Sequence, residues 1–112
     1  MIQTSQLIFR STKNDCLMSV SNSLKYDLCL LLEHDNGCVY YTVDEVITFK
    51  DGTNWQFDFM VKRKNGVKQL IIVVPFSVLS TQQFMDLFLG LHAEASICGY
   101  KFVVKTEKSI RK

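Results

Sequence analysis

The sequence lacks the cysteine pattern of a zinc site. It has four cysteines, but none forms a Cys-x-x-Cys pair and no histidine pattern accompanies them. Structural zinc needs ligands that converge in tetrahedral geometry, which such wide spacing does not predict. Thiols outside a metal site behave mostly as small buried hydrophobic groups. We therefore expect no metal, no other cofactor and four reduced cysteines: Cys16, Cys29, Cys38 and Cys98.

The sequence also lacks a hydrophobic run that would cross a bilayer. Its longest apolar stretches, Leu28–Leu32 and Leu70–Phe76, fall far short of the ~20 residues that a membrane-spanning helix needs. No basic segment followed by an apolar one stands at the N-terminus, so a secretory leader is not predicted. Because we expect reduced thiols as well, we predict a cytoplasmic protein with no membrane partner.

No internal repeat, linker or low-complexity segment divides the chain, which indicates one domain over residues 1–112. Hydrophobic residues make up 47% and charged residues 21% of the chain, which argues against intrinsic disorder. The mean hydropathy of +0.08 leaves room for an exposed apolar face. The net charge of +2 permits nucleic-acid binding without requiring it.

Hydrophobic periodicity predicts two helices. The first follows a serine cap at Ser21 or Ser23 and ends at the turn over residues 35–37. Its inward residues are expected to be Leu24, Leu28, Leu31 and Leu32. The second opens at residues 80–83 and ends at Gly99. Its inward residues are expected to be Phe84, Leu87, Phe88 and Leu91.

Three consecutive strands are predicted between these helices. Alternation places Trp55, Phe57 and Phe59 on one side of the middle strand. Asn65-Gly66 is a hairpin signal, and Leu70–Val74 is apolar throughout, as in a central strand covered on both faces.

The two ends of the chain complete the predicted order of elements. Residues 7–9 are expected to form a short strand or an extended arm, residues 100–106 a last strand, and residues 107–112 a charged tail. The order helix, three strands, helix, strand predicts an α/β protein. Its architecture would be a small mixed β-sheet flanked by helices, one on each face.

This order matches the core of restriction-endonuclease-like folds. In such enzymes an early helix supplies a glutamate, a hairpin strand ends in an aspartate, and the next strand carries a Glu-x-Lys pair. Carboxylates bind a divalent cation through oxygen, and the metal activates water. The lysine places a positive charge beside the developing negative one.

Four segments carry a more specific resemblance: SNSLKYDLCLLLEHDNGCVYY, VDEVITF, WQFDFMVKRKNGVKQLIIVVP and CGYKFVVKTEKSIR. They resemble the N-terminal catalytic domain of TnsA-type transposon endonucleases, and the closing segment is the most persuasive match. The resemblance extends from about residue 5 to residue 111 and implies a restriction-endonuclease-like core. We expect no counterpart here of the separate C-terminal domain that such endonucleases carry.

At the catalytic positions the chain departs from that family. Asp58 stands where the family has its metal-binding aspartate, and Lys25 stands where the family has the helix glutamate. Ile72 and Val74 stand at the Glu and Lys of the Glu-x-Lys pair. Isoleucine supplies no oxygen ligand, so the comparison implies a degenerate nuclease that is not an enzyme. We expect Asp58 either to pair with Lys25 or to be exposed to solvent.

Two surface groups are candidates for binding. The basic residues around the Asn65-Gly66 hairpin either contact phosphates or form a solvated tip; they are Lys62, Arg63, Lys64 and Lys68. A second basic group near the C-terminus joins the first if the last strand runs beside the hairpin; its members are Lys101, Lys105, Lys108, Arg111 and Lys112. On the second helix, Met85 and Leu89 either form a protein interface or are buried under a neighbouring loop.

These observations favour a catalytically inactive binding or regulatory module. Its expected partner is a protein or a protein–DNA assembly of a phage or mobile element, and a second copy of the chain is also a candidate. One alternative is a DNA-binding protein that uses the basic hairpin. Another is a divergent metal-dependent DNA endonuclease, in which Asp58 is joined by Asp44, Glu45 or Asp51.

Overall fold

The computed structural model describes residues 6–111 and arranges their strands in two separate sheets. The elements are β1 (Leu7–Ser11), β2 (Cys16–Val20), α1 (Ser23–Glu33), β3 (Cys38–Thr48), β4 (Asn54–Arg63), β5 (Lys68–Val73), a 3₁₀ helix (Phe76–Ser80), α2 (Gln82–Ile97), β6 (Lys101–Lys105) and α3 (Glu107–Ile110). β1 and β2 form an antiparallel hairpin. The other sheet has the order β3-β4-β5-β6, with its last pair parallel. The predicted α/β class, with a small mixed sheet and helices, is confirmed.

The first helix begins one residue away from the predicted caps. Asn22, not Ser21 or Ser23, is the N-cap, and its side-chain oxygen accepts the Lys25 N–H at 2.9 Å. This bond satisfies one of the amides that a helix start leaves free. Leu31 was expected inside but is half exposed, because it lies beside the buried stripe and lines an open groove next to α3.

The second helix is capped by Thr81, whose hydroxyl accepts the Phe84 N–H at 3.2 Å. Phe84 and Leu91 are buried as predicted, whereas Leu87 is exposed and its predicted inward position is wrong. The buried stripe follows steps of three and four residues from Phe84, and Leu87 falls to one side of it. Gly99 ends the helix with a φ of 86°, a left-handed conformation that glycine adopts without strain.

Two hydrophobic clusters lie on opposite faces of the four-stranded sheet. The α1-side cluster consists of Val20, Leu28, Cys29, Leu32, Cys38, Tyr41, Phe59, Val61, Ile71 and Ile110. The α2-side cluster consists of Phe49, Phe57, Met60, Leu70, Ile72, Phe84, Leu91, Ala95 and Phe102. Successive residues of β5 enter alternate clusters, which confirms the prediction of a strand covered on both faces.

The long β3–β4 pair changes faces half way along. Phe57 is buried in the α2-side cluster and Trp55 packs against it, but Phe59 is buried in the α1-side cluster, so the prediction of one shared side is wrong. On the neighbouring strand Asp44 has a φ of 52°, in the left-handed region. It lies between the Val43–Phe59 and Glu45–Phe57 pairs. A local irregularity of this kind turns a strand and re-aims its side chains.

Two elements at the ends of the chain were not predicted. β2 completes a hairpin that packs on the α1-side cluster through Phe9, Met18 and Val20. Residues 107–110, expected in a charged tail, form the helix α3 instead. Thr106 caps that helix in a capping box with Ser109, and burial of Ile110 fixes it beside α1.

The four cysteines are unpaired thiols, as expected, with Cys29 and Cys38 buried, Cys98 half-buried and Cys16 exposed. None of the helices formed by residues 6–111 is long and apolar enough to cross a membrane.

Candidate functional site

The candidate site centres on an ion pair between α1 and β4. Lys25, in the first turn of α1, places its Nζ 3.0 Å from Oδ1 of Asp58. Only 17% of the lysine side chain and 24% of the aspartate side chain are exposed to solvent. The predicted pairing of the two residues is confirmed. Solvent exposure, the other alternative for Asp58, does not describe its position.

The second oxygen of Asp58 is also engaged. Its Oδ2 accepts the backbone N–H of Val73 at 2.6 Å. The β4–β5 ladder ends at the Phe59–Ile71 pair, so the backbone of Asp58 does not continue it toward Val73. No carbonyl of β4 accepts this amide, so the Asp58 carboxylate supplies the acceptor that a neighbouring strand would normally provide. Asp58 is the one acid at the four catalytic positions of the resemblance, and both of its oxygens make contacts that stabilise the fold.

Three of the four positions taken from the nuclease resemblance lie near one another, and Ile72 does not. Ile72 is buried in the α2-side cluster, whereas Asp58 and Lys25 meet on the other face. Val74 packs against the α2-side cluster and also lines the cavity beside Lys25. The neighbour of Asp58 on β5 is Val73. A shallow cavity of about 360 Å³ adjoins the ion pair and is lined mostly by apolar groups. Its lining contains no oxygen ligand from β4.

The acids proposed as migrated ligands lie apart from one another. Glu45 accepts the Thr42 hydroxyl at 3.0 Å. Asp51 accepts the hydroxyl and the backbone N–H of Thr53, and these bonds lower the pKa of Asp51. Asp44 is exposed in the irregular part of β3. Among residues 6–111, no three His, Cys, Asp or Glu side chains come together as a metal site would require.

Within the predicted basic hairpin, Arg63 is bound by an acid. Its two terminal nitrogens contact the Asp35 carboxylate at 2.7 and 3.4 Å. The guanidinium, and next the Gly37 N–H, lower the pKa of Asp35 by hydrogen bonding. A Cβ at position 37 would lie 2.6 Å from the guanidinium, so glycine there leaves room for the pair.

The lysines of the hairpin remain at its surface. Lys62 and Lys68 lie directly opposite each other across β4 and β5, and Lys64 is exposed at the tip. β6 does run beside β5, with Lys101 opposite Gln69. Strand alternation nevertheless directs Lys101 toward the α1 side, whereas it directs Lys62 and Lys68 toward the α2 side. Lys62 and Lys68 therefore do not form one patch with Lys101, whereas Arg63 and Lys105 line the same groove on the α1 side.

Met85 and Leu89 are exposed on the outer side of α2, one helical turn apart. Their exposed fractions are 48% and 62%. Burial under a neighbouring loop, one of the two alternatives for these residues, is therefore ruled out by their positions. Ile97 continues the exposed apolar stripe two turns further along the helix.

A polar network around Glu33 was not foreseen from the sequence. Its carboxylate accepts the Ser11 hydroxyl at 2.6 Å, the Tyr41 hydroxyl and the Lys13 backbone N–H at 3.2 Å. Burial alone would raise the pKa of Glu33, but these donors outweigh it and lower that pKa. Burial and the bond to Glu33 raise the pKa of Tyr41, so its hydroxyl stays a donor. The network joins the β1–β2 hairpin to α1 and β3.

Neither a comparison with models of protein families nor one with curated proteins finds a match for this chain. The resemblance to TnsA-type endonucleases therefore remains an expectation from the sequence.

Proposed function

We propose that this chain is a catalytically inactive, nuclease-like binding or regulatory module. The observation that supports this proposal is the use of Asp58, whose two oxygens are taken by the Lys25 ammonium and the Val73 amide. A hard divalent cation needs several free oxygen ligands in one place. A carboxylate that is neutralised by a lysine and hydrogen-bonded to the backbone is a poor first ligand.

The exposed apolar surface supports binding to a protein. Several large apolar side chains of the described residues are more than half exposed: Ile8, Leu17, Val46, Leu89 and Ile97. Of these, Leu89 and Ile97 lie with Met85 on α2, and apolar groups concentrated on one surface are typical of interaction sites. The partner we propose is a protein or a protein–DNA assembly of a phage or mobile element, in the cytoplasm of the host cell.

The absence of catalysis is tested with supercoiled plasmid in Mg²⁺ or Mn²⁺. We expect the wild-type chain to produce no more nicked or linear DNA than the buffer does, because Lys25 and the Val73 amide already engage both oxygens of Asp58. Asp58→Ala is the matched control for contaminating nucleases. Metal-dependent nicking by the wild type that disappears in Asp58→Ala would contradict the proposal and favour a nuclease with migrated acids.

Binding is tested by affinity capture from a lysate of the host, with and without nuclease digestion. We expect a specific protein that stays bound after the DNA has been digested. Recovery of nucleic acid alone, lost at high salt, would contradict the proposal and favour the DNA-binding alternative.

One observation favours that alternative. Lys62 and Lys68 face each other in neighbouring strands, and like charges in this position destabilise a sheet unless an anion offsets them. If the hairpin binds DNA, replacing Lys62, Lys64 and Lys68 with alanine should flatten the salt dependence, by about 0.9 in log–log slope per lost phosphate contact. The control is the double alanine variant of Lys101 and Lys105. An equal change in the control would argue against binding by the hairpin.

A further inference from the structure

A groove of about 590 Å³ separates β2 from β3. Residues 16–19 of β2 and residues 40–44 of β3 line it, and we call it the β2–β3 groove. Odd and even residues of both strands contribute to the lining. Since successive side chains of a strand point to opposite faces, this pattern indicates that the groove meets the edges of the two strands.

Both of these edges lack a strand partner within the described chain. β2 is bonded to β1 alone, and β3 to β4 alone. The Tyr41 N–H points away from β4, since it donates to Oδ1 of Asn14 at 2.9 Å. Along an antiparallel strand the backbone N–H and C=O groups of successive residues point alternately toward and away from the paired strand. The backbone groups of Val43, two residues after Tyr41, therefore also face the groove. An unpaired strand edge is a template for another strand.

The two ends of the groove differ in charge and in access. At one end the Lys13 ammonium donates to the backbone carbonyls of Asp35 and Cys38, at 2.6 Å for Cys38, which fastens the β1–β2 turn over β3. At the other end Asp44 is exposed next to Glu45. Neither acid forms an ion pair with any of residues 6–111. The groove is thus covered at its basic end and acidic at the other.

The side chains along the groove are mainly apolar. Leu17 on β2 is 72% exposed, and Tyr40 on β3 is exposed as well. Apolar side chains beside unpaired backbone groups suit an extended polypeptide, because the backbone supplies affinity and alternate side chains supply specificity.

We propose that the β2–β3 groove binds an extended strand of a partner protein. The strand pairs with β3 and β2 and joins the two sheets into one. It carries alternating apolar residues and a Lys or Arg at the end next to Asp44 and Glu45. This inference rests on the proposed function and specifies where, and in what conformation, a protein partner binds.

The test uses a phage-displayed library of random dodecapeptides, selected on the immobilised wild-type chain. Selected peptides are measured by fluorescence anisotropy against Leu17→Asp, Val43→Pro and Asp44→Asn. Val43→Pro removes an amide that does not donate to β4, so the β3–β4 ladder keeps its hydrogen bonds. The matched control is Leu89→Asp, which changes a similarly exposed leucine on α2.

We expect peptides with alternating apolar residues and a basic end. Leu17→Asp and Val43→Pro should weaken them at least tenfold, and Leu89→Asp less than twofold. Asp44→Asn should weaken them and reduce their salt dependence. On binding, the Val43 amide should become protected from hydrogen exchange, a readout that survives if Val43→Pro fails to fold.

Four outcomes would overturn the inference. The first is a library without enriched peptides, and the second is peptides that bind Leu17→Asp as well as wild type. In the third, peptides lose affinity only in Leu89→Asp, which would move the interface to α2 and leave the proposed function intact. A wild-type dimer that Val43→Pro dissociates would replace the partner strand with a second copy of the chain.

Discussion

Glu33→Ala is expected to lower the free energy of unfolding by about 3–5 kcal/mol, since each unsatisfied buried polar group costs about 1–3 kcal/mol. The substitution removes the acceptor of the Ser11 and Tyr41 hydroxyls, and both residues are almost fully buried. It also frees the Lys13 amide. Urea denaturation followed by circular dichroism measures the change.

The same site gives a pH dependence of known sign. The pKa of Glu33 is lower in the folded protein than in an unfolded chain, where it is about 4.3. The ionised carboxylate therefore stabilises the fold above pH 4.3, and this contribution is lost as the pH falls through the folded-state pKa. We expect the stability difference between wild type and Glu33→Gln to be full at pH 7 and to shrink below pH 4.

Glu45→Ala is the matched control. Glu45 accepts one hydrogen bond, from the partly exposed Thr42, so its loss should cost at most about 1 kcal/mol. Equal effects at Glu33 and Glu45 would mean that the buried network contributes nothing of its own.

Asp58→Ala is expected to destabilise the fold by about 2–4 kcal/mol, somewhat less than the roughly 3–5 kcal/mol for breaking a fully buried ion pair. The reduction reflects the partial exposure of both side chains. The variant leaves the Lys25 ammonium without its carboxylate and the Val73 amide without its acceptor. Thermal melting checks the prediction.

A double-mutant cycle separates the two roles of Asp58. Asp58→Asn keeps an oxygen for the Val73 amide, and Lys25→Met keeps the apolar stem of the lysine without its charge. We expect the double variant to be more stable than the sum of the single losses predicts, since neither charge is then left alone. Strict additivity, or an unchanged melting temperature in Asp58→Ala, would show that the pair contributes nothing.

Much of the fold could be predicted because local signals and burial agree. The apolar run of β5 and the hairpin signal at Asn65-Gly66 specify a central strand and its turn, and Gly99 ends α2 as expected. The local sequence signals gave a wrong prediction where tertiary contacts determine the secondary structure. α3 looks like a charged tail in the sequence, but the Thr106 capping box and the burial of Ile110 against the α1-side cluster together make it a helix.

Prediction of the site was uneven for a related reason. The Lys25–Asp58 pair was among the expectations because the resemblance placed both residues at one pocket. Nothing in the sequence signals the face change at Asp44 and Asp58, since apolar and polar residues continue to alternate through these positions. Glu33 is an ordinary residue at the end of a predicted helix. Its three donors come from segments at least eight residues away in sequence, which periodicity does not relate.

The β1–β2 hairpin forms one wall of the β2–β3 groove, and the stability of this wall differs from that of the four-stranded sheet. A two-stranded ribbon is marginal in isolation, so this wall depends on the Glu33 network and on a few apolar contacts of Phe9, Met18 and Val20. Sub-global opening of the hairpin should therefore require less free energy than unfolding the four-stranded sheet. If a partner strand enters from the side during such an opening, the association rate will depend on how often the hairpin opens. A long molecule would then have no need to thread through the groove lengthwise.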